Sequence, residues 1–597
     1  MNNLFQNKFT RVIIPVFTIF FLSCQKNIDF ITTDTQTPDL TTKVTSSVSG
    51  FVTDENNAAV MGAPVTVGGI TTNTDKYGFF QVKNVQVVKT AAVVTVNRPG
   101  YFKGIKTYTA ENNKAAFFRI KLIPKTNAGN ISSTTGGSVT LSNGFIIALP
   151  ANAVVNAATS VAYTGQVNVA AHWIDPTAAD INQTMPGNLS GITTDGSLKT
   201  LISYGMAAVE LTGASGELLQ IAAGKKATLT FSIPSSILAS APATIPLWSF
   251  EETTGLWKQE GTATKTGNTY TGDVSHFSFW NCDIPADYVQ FNCTLKDAVG
   301  NPLPYTLVKI SVVGSGSAGY GWTDSSGYVG GIIPGNAQLL LEVLSSYNCG
   351  TPVYSQNFAT TNINVSLGVI TITAAGTSIA TISGTVTDCS NNPVTDGYIV
   401  MMEGWQYYRY ALSNTGAFSF NAVLCNNTVA VTFIAEDNIG LQQSSPLVMT
   451  LTPGTNAIGN LQACGVSTQE FVTYTINGGS PITFTAPADS VFQTGNGSTT
   501  SYYIGASSNG PSPNNGDSYF TFNTPGIGVG SVQTLTSFGC SQIIAQTTVN
   551  PPGNVNITEY GAVGEFVAGN FTCSLTDSAP PNTVYNVVCS FRVRRTF

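Results

Sequence analysis

The chain has 597 residues, a net charge of −7 and only 10% charged residues, against ~25% in an ordinary soluble domain. A chain of this length exceeds what one hydrophobic core organises, so several domains are required. No basic cluster precedes Arg592, Arg594 and Arg595, which argues against nucleic acid as a partner. Ser, Thr, Asn and Gly replace the missing charge, a composition that suits exported β-domains with hydroxyl and amide surfaces.

At the N-terminus, Lys8 and Arg11 flank the start of an apolar run from Val12 to Leu22. The run is shorter than the ~20 residues of a spanning helix, and no other segment reaches that length. Leu22-Ser23-Cys24 resembles the processing site of bacterial lipoproteins, with Phe21 where that family usually carries Leu, Val or Ile. The resemblance implies a signal peptide over 1–24, lipidation of Cys24 and attachment to a membrane. An ordinary secretory signal with an incidental cysteine is the alternative. The polar, Thr-rich stretch 25–43 reads as a tether. Gln25-Lys26 with Asp29 loosely resembles the surface-export signal of Bacteroidota lipoproteins, with Asn27 where an acidic residue is usual. This implies the outer membrane, at the cell surface or on the periplasmic face.

A repeat follows, three times. "SGFVTDENNAAVMGAPVTV" from Ser49, "NCTLKDAVGNPLPYTLVKI" from Asn292 and "SGTVTDCSNNPVTDGYIVM" from Ser383 each run an alternating strand into an aspartate: Asp54, Asp297 or Asp388. Downstream, Gly78, Gly327 and Gly416 each sit three residues after Asp75, Asp324 or Ser413. There a glycine would supply the positive φ of a tight turn. Short strands at this spacing predict small antiparallel sandwiches, placed at 44–124, 289–374 and 379–463. The repeats resemble the carboxypeptidase regulatory-like domain, a transthyretin-like sandwich with an immunoglobulin-like or carbohydrate-binding-like fold. That domain carries no peptidase chemistry. His172 and His276, the two histidines, lie in no H-x-x-E pair, so a zinc peptidase is rejected, and no metal or cofactor is expected.

Between the first and second repeats, 130–288 has another character. Gly136-Gly137 and Leu149-Pro150-Ala151 resemble the start of a ZU-type domain, as in zonula occludens proteins and ankyrins. Leu247-Trp248, Gly255-Leu256-Trp257 and His276-Phe277-Ser278 resemble the equivalent module of astroprincin and cartilage intermediate layer protein. Some ZU-type and adhesion-receptor domains cleave themselves at such an HFS triplet. The resemblance implies Ser278 as nucleophile on the Phe277 carbonyl and His276, on the same face of a strand, as general base. The alternative is that His276 and Ser278 satisfy local hydrogen bonds while Phe277 and Phe279 face the core. Trp248, Trp257 and Trp280 read as core anchors, and His172 as structural.

In the third repeat, "EGWQYYRYALS" from Glu403 puts Trp405, Tyr407 and Arg409 on one face of a strand. This is a candidate glycan-stacking ledge, with cross-strand aromatic pairing as the alternative. The remaining chain, 465–597, reads as a C-terminal β-sandwich similar to a module frequent at the ends of Bacteroidota lipoproteins. Nine of the ten cysteines lie from Cys282 onward. In an exported chain they should pair, leaving at least one thiol odd. Cys573 and Cys589, nearly opposite across a hairpin at Ala579-Pro580-Pro581, are the first candidate pair.

The sequence thus predicts an all-β chain of tandem immunoglobulin-like or transthyretin-like sandwiches, a larger β-rich middle domain and a C-terminal sandwich. The expected function is non-enzymatic: a lipid-anchored exported protein presenting these domains for adhesion or envelope assembly. Its expected partners are the membrane, through Cys24, and envelope or extracellular proteins or glycans. A carbohydrate-binding surface lipoprotein and a self-cleaving HFS module are the alternatives.

Overall fold

The computed structural model describes residues 37–595 apart from 315–317, 345–351, 373–378, 405, 425–427, 487–488, 495–500, 509–517, 542, 544–547, 550–552, 562–564 and 577–582. Cys24 and Trp405 lie outside the described residues. Apart from the single turns Ile181–Thr184 and Leu238–Ser240, all regular structure among the described residues is β-strand. None of their helices is long and apolar enough to cross a membrane.

The three repeats share one topology. In the first, Lys43–Thr53 lies antiparallel to Phe79–Val88 and parallel to Lys114–Lys121. This sheet packs on four strands in the order Ile70–Asn73, Pro64–Val67, Ala92–Val96, Gly104–Tyr108. In the second, Tyr288–Asp297 takes the central place between Tyr328–Pro334 and Val365–Ile372. In the third, Ile379–Thr387 takes it between Ala417–Val423 and Gly454–Gln462. The period-2 pattern decides which side faces in. Val48, Val52, Val65 and Val94 are all nearly inaccessible in one core, and each such side chain stabilises the fold by about 1.5–3 kcal/mol over an exposed one.

The turn residues act as their spacing predicts. Asp54 Oδ1 accepts from the amides of Asn56 and Ala58 at 2.9 and 2.8 Å. Asp297 Oδ1 does so from Val299 and Asn301 at 3.0 and 2.8 Å, and Asp388 Oδ1 from Ser390 and Asn392 at 2.8 Å each. Gly78, Gly327 and Gly416 have φ of 73°, 78° and 72°. A Cβ on Gly78 would stand 2.2 Å from the Val52 carbonyl oxygen. Both the backbone sign and the space therefore demand glycine.

The middle region forms one thirteen-stranded sheet system between Asn127 and Ala286, built on the long strand Leu198–Thr212. Trp248, Trp257 and Trp280 are fully buried, as core anchors should be. The motif residues meet in space: a Cβ on Gly136 would stand 2.5 Å from the Leu149 carbonyl oxygen. In the C-terminal region ten strands among the described residues make one continuous antiparallel sheet. Its path begins at Ile482–Thr485 and ends at Asp489–Thr494, neighbours in sequence joined by a hydrogen bond that the Thr485 amide donates to Asp489 Oδ2 at 2.9 Å. The sheet is therefore rolled so that its two ends meet around a single core.

Candidate functional site

The HFS triplet is not on a strand. Residues 275–278 bend between Thr269–Val274 and Phe279–Ala286, so the strand alternation expected to put His276 and Ser278 on one face does not apply here. His276 Nε2 lies 3.0 Å from Glu260 Oε2, and Lys258 pairs with the other oxygen of Glu260 at 2.7 Å. Ser278 Oγ donates to the Phe279 carbonyl at 3.0 Å. Gln220 clamps the peptide between them: Phe277 N donates to its Oε1 at 2.7 Å, and its Nε2 donates to the Phe277 carbonyl at 3.1 Å. The carbonyl thus has a donor, while the hydroxyl donates to a backbone carbonyl and the imidazole Nε2 meets a carboxylate. The arrangement matches the alternative reading, local satisfaction beside a buried Phe277.

Five residues further on lies a group that motif reading passed over. Asp283 is fully buried; one oxygen accepts from Asn281 Nδ2 at 2.5 Å and the other has no partner. Burial raises its carboxyl well above the ordinary range. Such a group keeps its proton when folded while the unfolded chain has lost it, so stability falls as pH rises above the unfolded value near 3.8. Asp283→Asn is expected to raise the melting temperature, by more at pH 8 than at pH 5, in paired thermal scans. A pH-independent difference would refute this assignment.

The aromatic ledge faces another domain, not solvent. Tyr407 packs on Tyr77 of the first repeat with ring centroids 5.2 Å apart. Arg409 pairs with Asp75 Oδ2 at 2.6 Å and reaches Glu436 Oε2 at 3.5 Å. Its guanidinium lies 3.9 Å from the Tyr398 ring centroid and 4.8 Å from that of Phe79. The alternation across the strand is as expected, with Gln406, Tyr408 and Tyr410 buried on the opposite face. What differs is the environment: the open side of this strand carries the first repeat, so the candidate glycan surface at Tyr407 and Arg409 is corrected to an interdomain contact.

All three repeats converge here. Phe51, Tyr77, Phe79 and Phe117 from the first form one apolar cluster with Val400 and Ile434 from the third, and Trp322 of the second packs on it. Phe117 also packs against Tyr305, ring centroids 4.5 Å apart and planes tilted by 39°. Arg119 stands at the centre, 3% exposed. It donates to the Tyr407 carbonyl at 3.0 Å and lies 4.8 to 5.7 Å from four ring centroids, those of Tyr408, Phe51, Trp322 and Phe117. Guanidinium stacking on rings is favourable where water is excluded. No sequence signal marked Arg119, because its partners come from strands about 200 and 290 residues away.

The first repeat is docked onto the middle region as well. Its edge strand Gly104–Tyr108 receives the Gly187 amide on the Ile105 carbonyl at 2.9 Å, and Thr107 Oγ1 donates to the Gly255 carbonyl at 2.7 Å. Phe102, Ile105 and Ile123 share a core with Trp248, Phe250 and Trp257.

The cysteine expectations divide. Cys389 and Cys464 form a disulfide in the third repeat. Cys573 and Cys589 do not: in this structure both are free and buried. The hairpin pairs Cys573 with Val587 and Cys589 with Phe571, so the two are offset by two positions rather than opposed. Both point into the core, where a thiol behaves as a small apolar group, and burial pushes Cys573 up to about 12.

No family model and no curated protein matches the chain. Among solved structures it is similar to the shaft pilin SpaA of Lactobacillus rhamnosus GG, at 11% identity and a TM-score of 0.17, over 30% of this chain and 99% of that one. It is also similar to a streptococcal ancillary pilin, at 9% identity and a TM-score of 0.13, over 38% and 95%. A third is a Bacteroides uniformis protein provisionally assigned to carbohydrate binding, at 10% identity and a TM-score of 0.12, over 36% and 98%. Likenesses at these scores carry no argument about function. The all-β sandwich class rests on the strand pairing itself.

Proposed function

We propose that this chain is a lipid-anchored, exported, non-enzymatic protein that presents a stack of β-sandwich domains for adhesion or envelope assembly. One observation carries the reading. Repeats far apart in sequence are locked side by side by the Arg119 and Arg409 clusters, which makes a stiff body rather than beads on a string. Stiffness suits a protein that must hold a binding surface away from a membrane. The anchor is tested on the mature protein from its native envelope: mass spectrometry is expected to find diacylglyceryl cysteine at Cys24, and Cys24→Ala to leave an unmodified precursor. A mature N-terminus elsewhere, without lipid, would sink the anchor.

The non-enzymatic half makes a separate prediction. Because Ser278 donates to the Phe279 carbonyl and His276 is engaged by Glu260, wild-type and Ser278→Ala proteins are both expected as single full-length bands on a denaturing gel. Two wild-type fragments divided at Phe277-Ser278 would establish the self-cleaving alternative. Adhesion itself is tested by deleting the gene and measuring attachment and envelope integrity; a deletion strain normal in both would count against the role.

A further inference from the structure

Where the first repeat, the middle region and the second repeat meet, two adjoining cavities open, of about 90 and 210 Å³. They share Thr107, Phe118, Asn188, Tyr320 and Trp322 as a common wall. The larger chamber is faced by the apolar side chains of Leu201, Ile202, Ile310 and Val329, with Glu111 and Lys114 also in its wall. The smaller is lined by Lys106, Arg119, Asn182 and Trp322, residues that include several buried polar atoms the protein itself leaves unpaired.

Lys106 is 4% exposed, and its ammonium donates to the Met185 carbonyl at 2.6 Å. Burial alone lowers it, to about 7, with no carboxylate acting on it. The Nε of Arg119, the Nε1 of Trp322 and both amide atoms of Asn182 are buried without a hydrogen-bond partner. Arg119 has Glu403 as a counter-charge; Lys106 has none. A buried ammonium without an anion and several orphan donors around one chamber are each costly. Water could fill a chamber of this size, but water does not neutralise Lys106.

We propose that the paired cavity binds an amphiphilic monocarboxylate, its carboxylate in the small chamber beside Lys106, Arg119 and Asn182 and its apolar body in the large one. A carboxylate supplies the missing negative charge and acceptor lone pairs for the orphan donors, and charge-assisted bonds of this kind are the strong ones. The apolar chamber gains from displacing water from its walls. The site is assembled from three domains, so the scaffold that locks them together is also what builds it. The inference goes beyond the proposed envelope role and stands or falls separately from it.

The test is calorimetric titration of the full mature chain with octanoate at pH 6, where the Lys106 ammonium is charged, with octan-1-ol as the neutral control. Octanoate is expected to bind one to one, at least tenfold more tightly than octan-1-ol. Lys106→Met should weaken octanoate at least tenfold while leaving the unliganded protein no less heat-stable than wild type, because it removes an unpaired buried charge. Ile310→Trp, which puts a larger side chain in the wall of the larger chamber alone, should abolish binding and serves where Lys106→Met fails to fold. Absence of octanoate binding, equal affinity for the alcohol, or binding unchanged in the soluble variants would each overturn the proposal.

Discussion

Replacing Cys389 and Cys464 together by alanine is expected to destabilise the third repeat by about 4.5 kcal/mol. The bridge closes a loop of 75 residues, and in the chain-entropy model a closure of that length removes about this much freedom from the unfolded state. Its position adds to the effect. Cys389 sits within the Asp388 turn, and Cys464 follows the strand Gly454–Gln462, which runs parallel to Ile379–Thr387. Parallel neighbours cannot be held by a short hairpin, so the disulfide ties two elements that local turns leave unlinked. The Ala463 amide donates to the Thr387 carbonyl at 2.8 Å beside it. Amide exchange of Ile382 to Val386 reads this repeat apart from the others. Protection lost by less than a factor of ten in the double variant would contradict the expectation.

Arg409→Ala is expected to cost about 3–5 kcal/mol, the range for removing one partner of a buried ion pair, and to release the first repeat from the third. Asp75, Lys76, Arg409 and Glu436 form one alternating set of charges. Arg409 holds Asp75 at 2.6 Å, while Lys76 holds Glu436 at 2.9 Å and also meets Gln443. Burial raises Asp75 despite its arginine, whereas Lys76 and Arg409 together outweigh burial and keep Glu436 below the ordinary range. Without the guanidinium, Asp75 loses its counter-charge, and the rings of Tyr398 and Phe79 lose the plane stacked on them. Arg409→Lys should rescue little, because an ammonium can neither fork to two carboxylates nor stack. Denaturation midpoints and small-angle scattering of the full chain read the two effects, stability and separation of the repeats. A variant with wild-type stability and dimensions would remove the charge cluster from the docking.

How much of this was legible beforehand depends on the range of the interaction. Asp54, Asp297 and Asp388 cap turns two and four residues away, and Gly78, Gly327 and Gly416 answer a backbone sign. Such contacts are visible in a short window of sequence. So is the alternation that buries Gln406, Tyr408 and Tyr410 on one side of their strand. The partner of each face was not visible. Spacing put Tyr407 and Arg409 together, yet only the packing of the first repeat, more than 300 residues away, turned a solvent ledge into an ion-paired contact.

The same division runs through the reactive residues. Composition, the repeated turns and the period-2 strands by themselves determined the all-β class, the three kindred sandwiches and the buried tryptophans, because each follows from neighbours along the chain. Tertiary structure alone decided that His276 turns to Glu260, that Cys389 finds Cys464 while Cys573 and Cys589 stand two positions out of register, and that Lys106 is buried beside a cavity. Those outcomes depend on how sheets are rolled and docked. A strand's own pattern records that it has two faces, but not which distant domain will cover the second one.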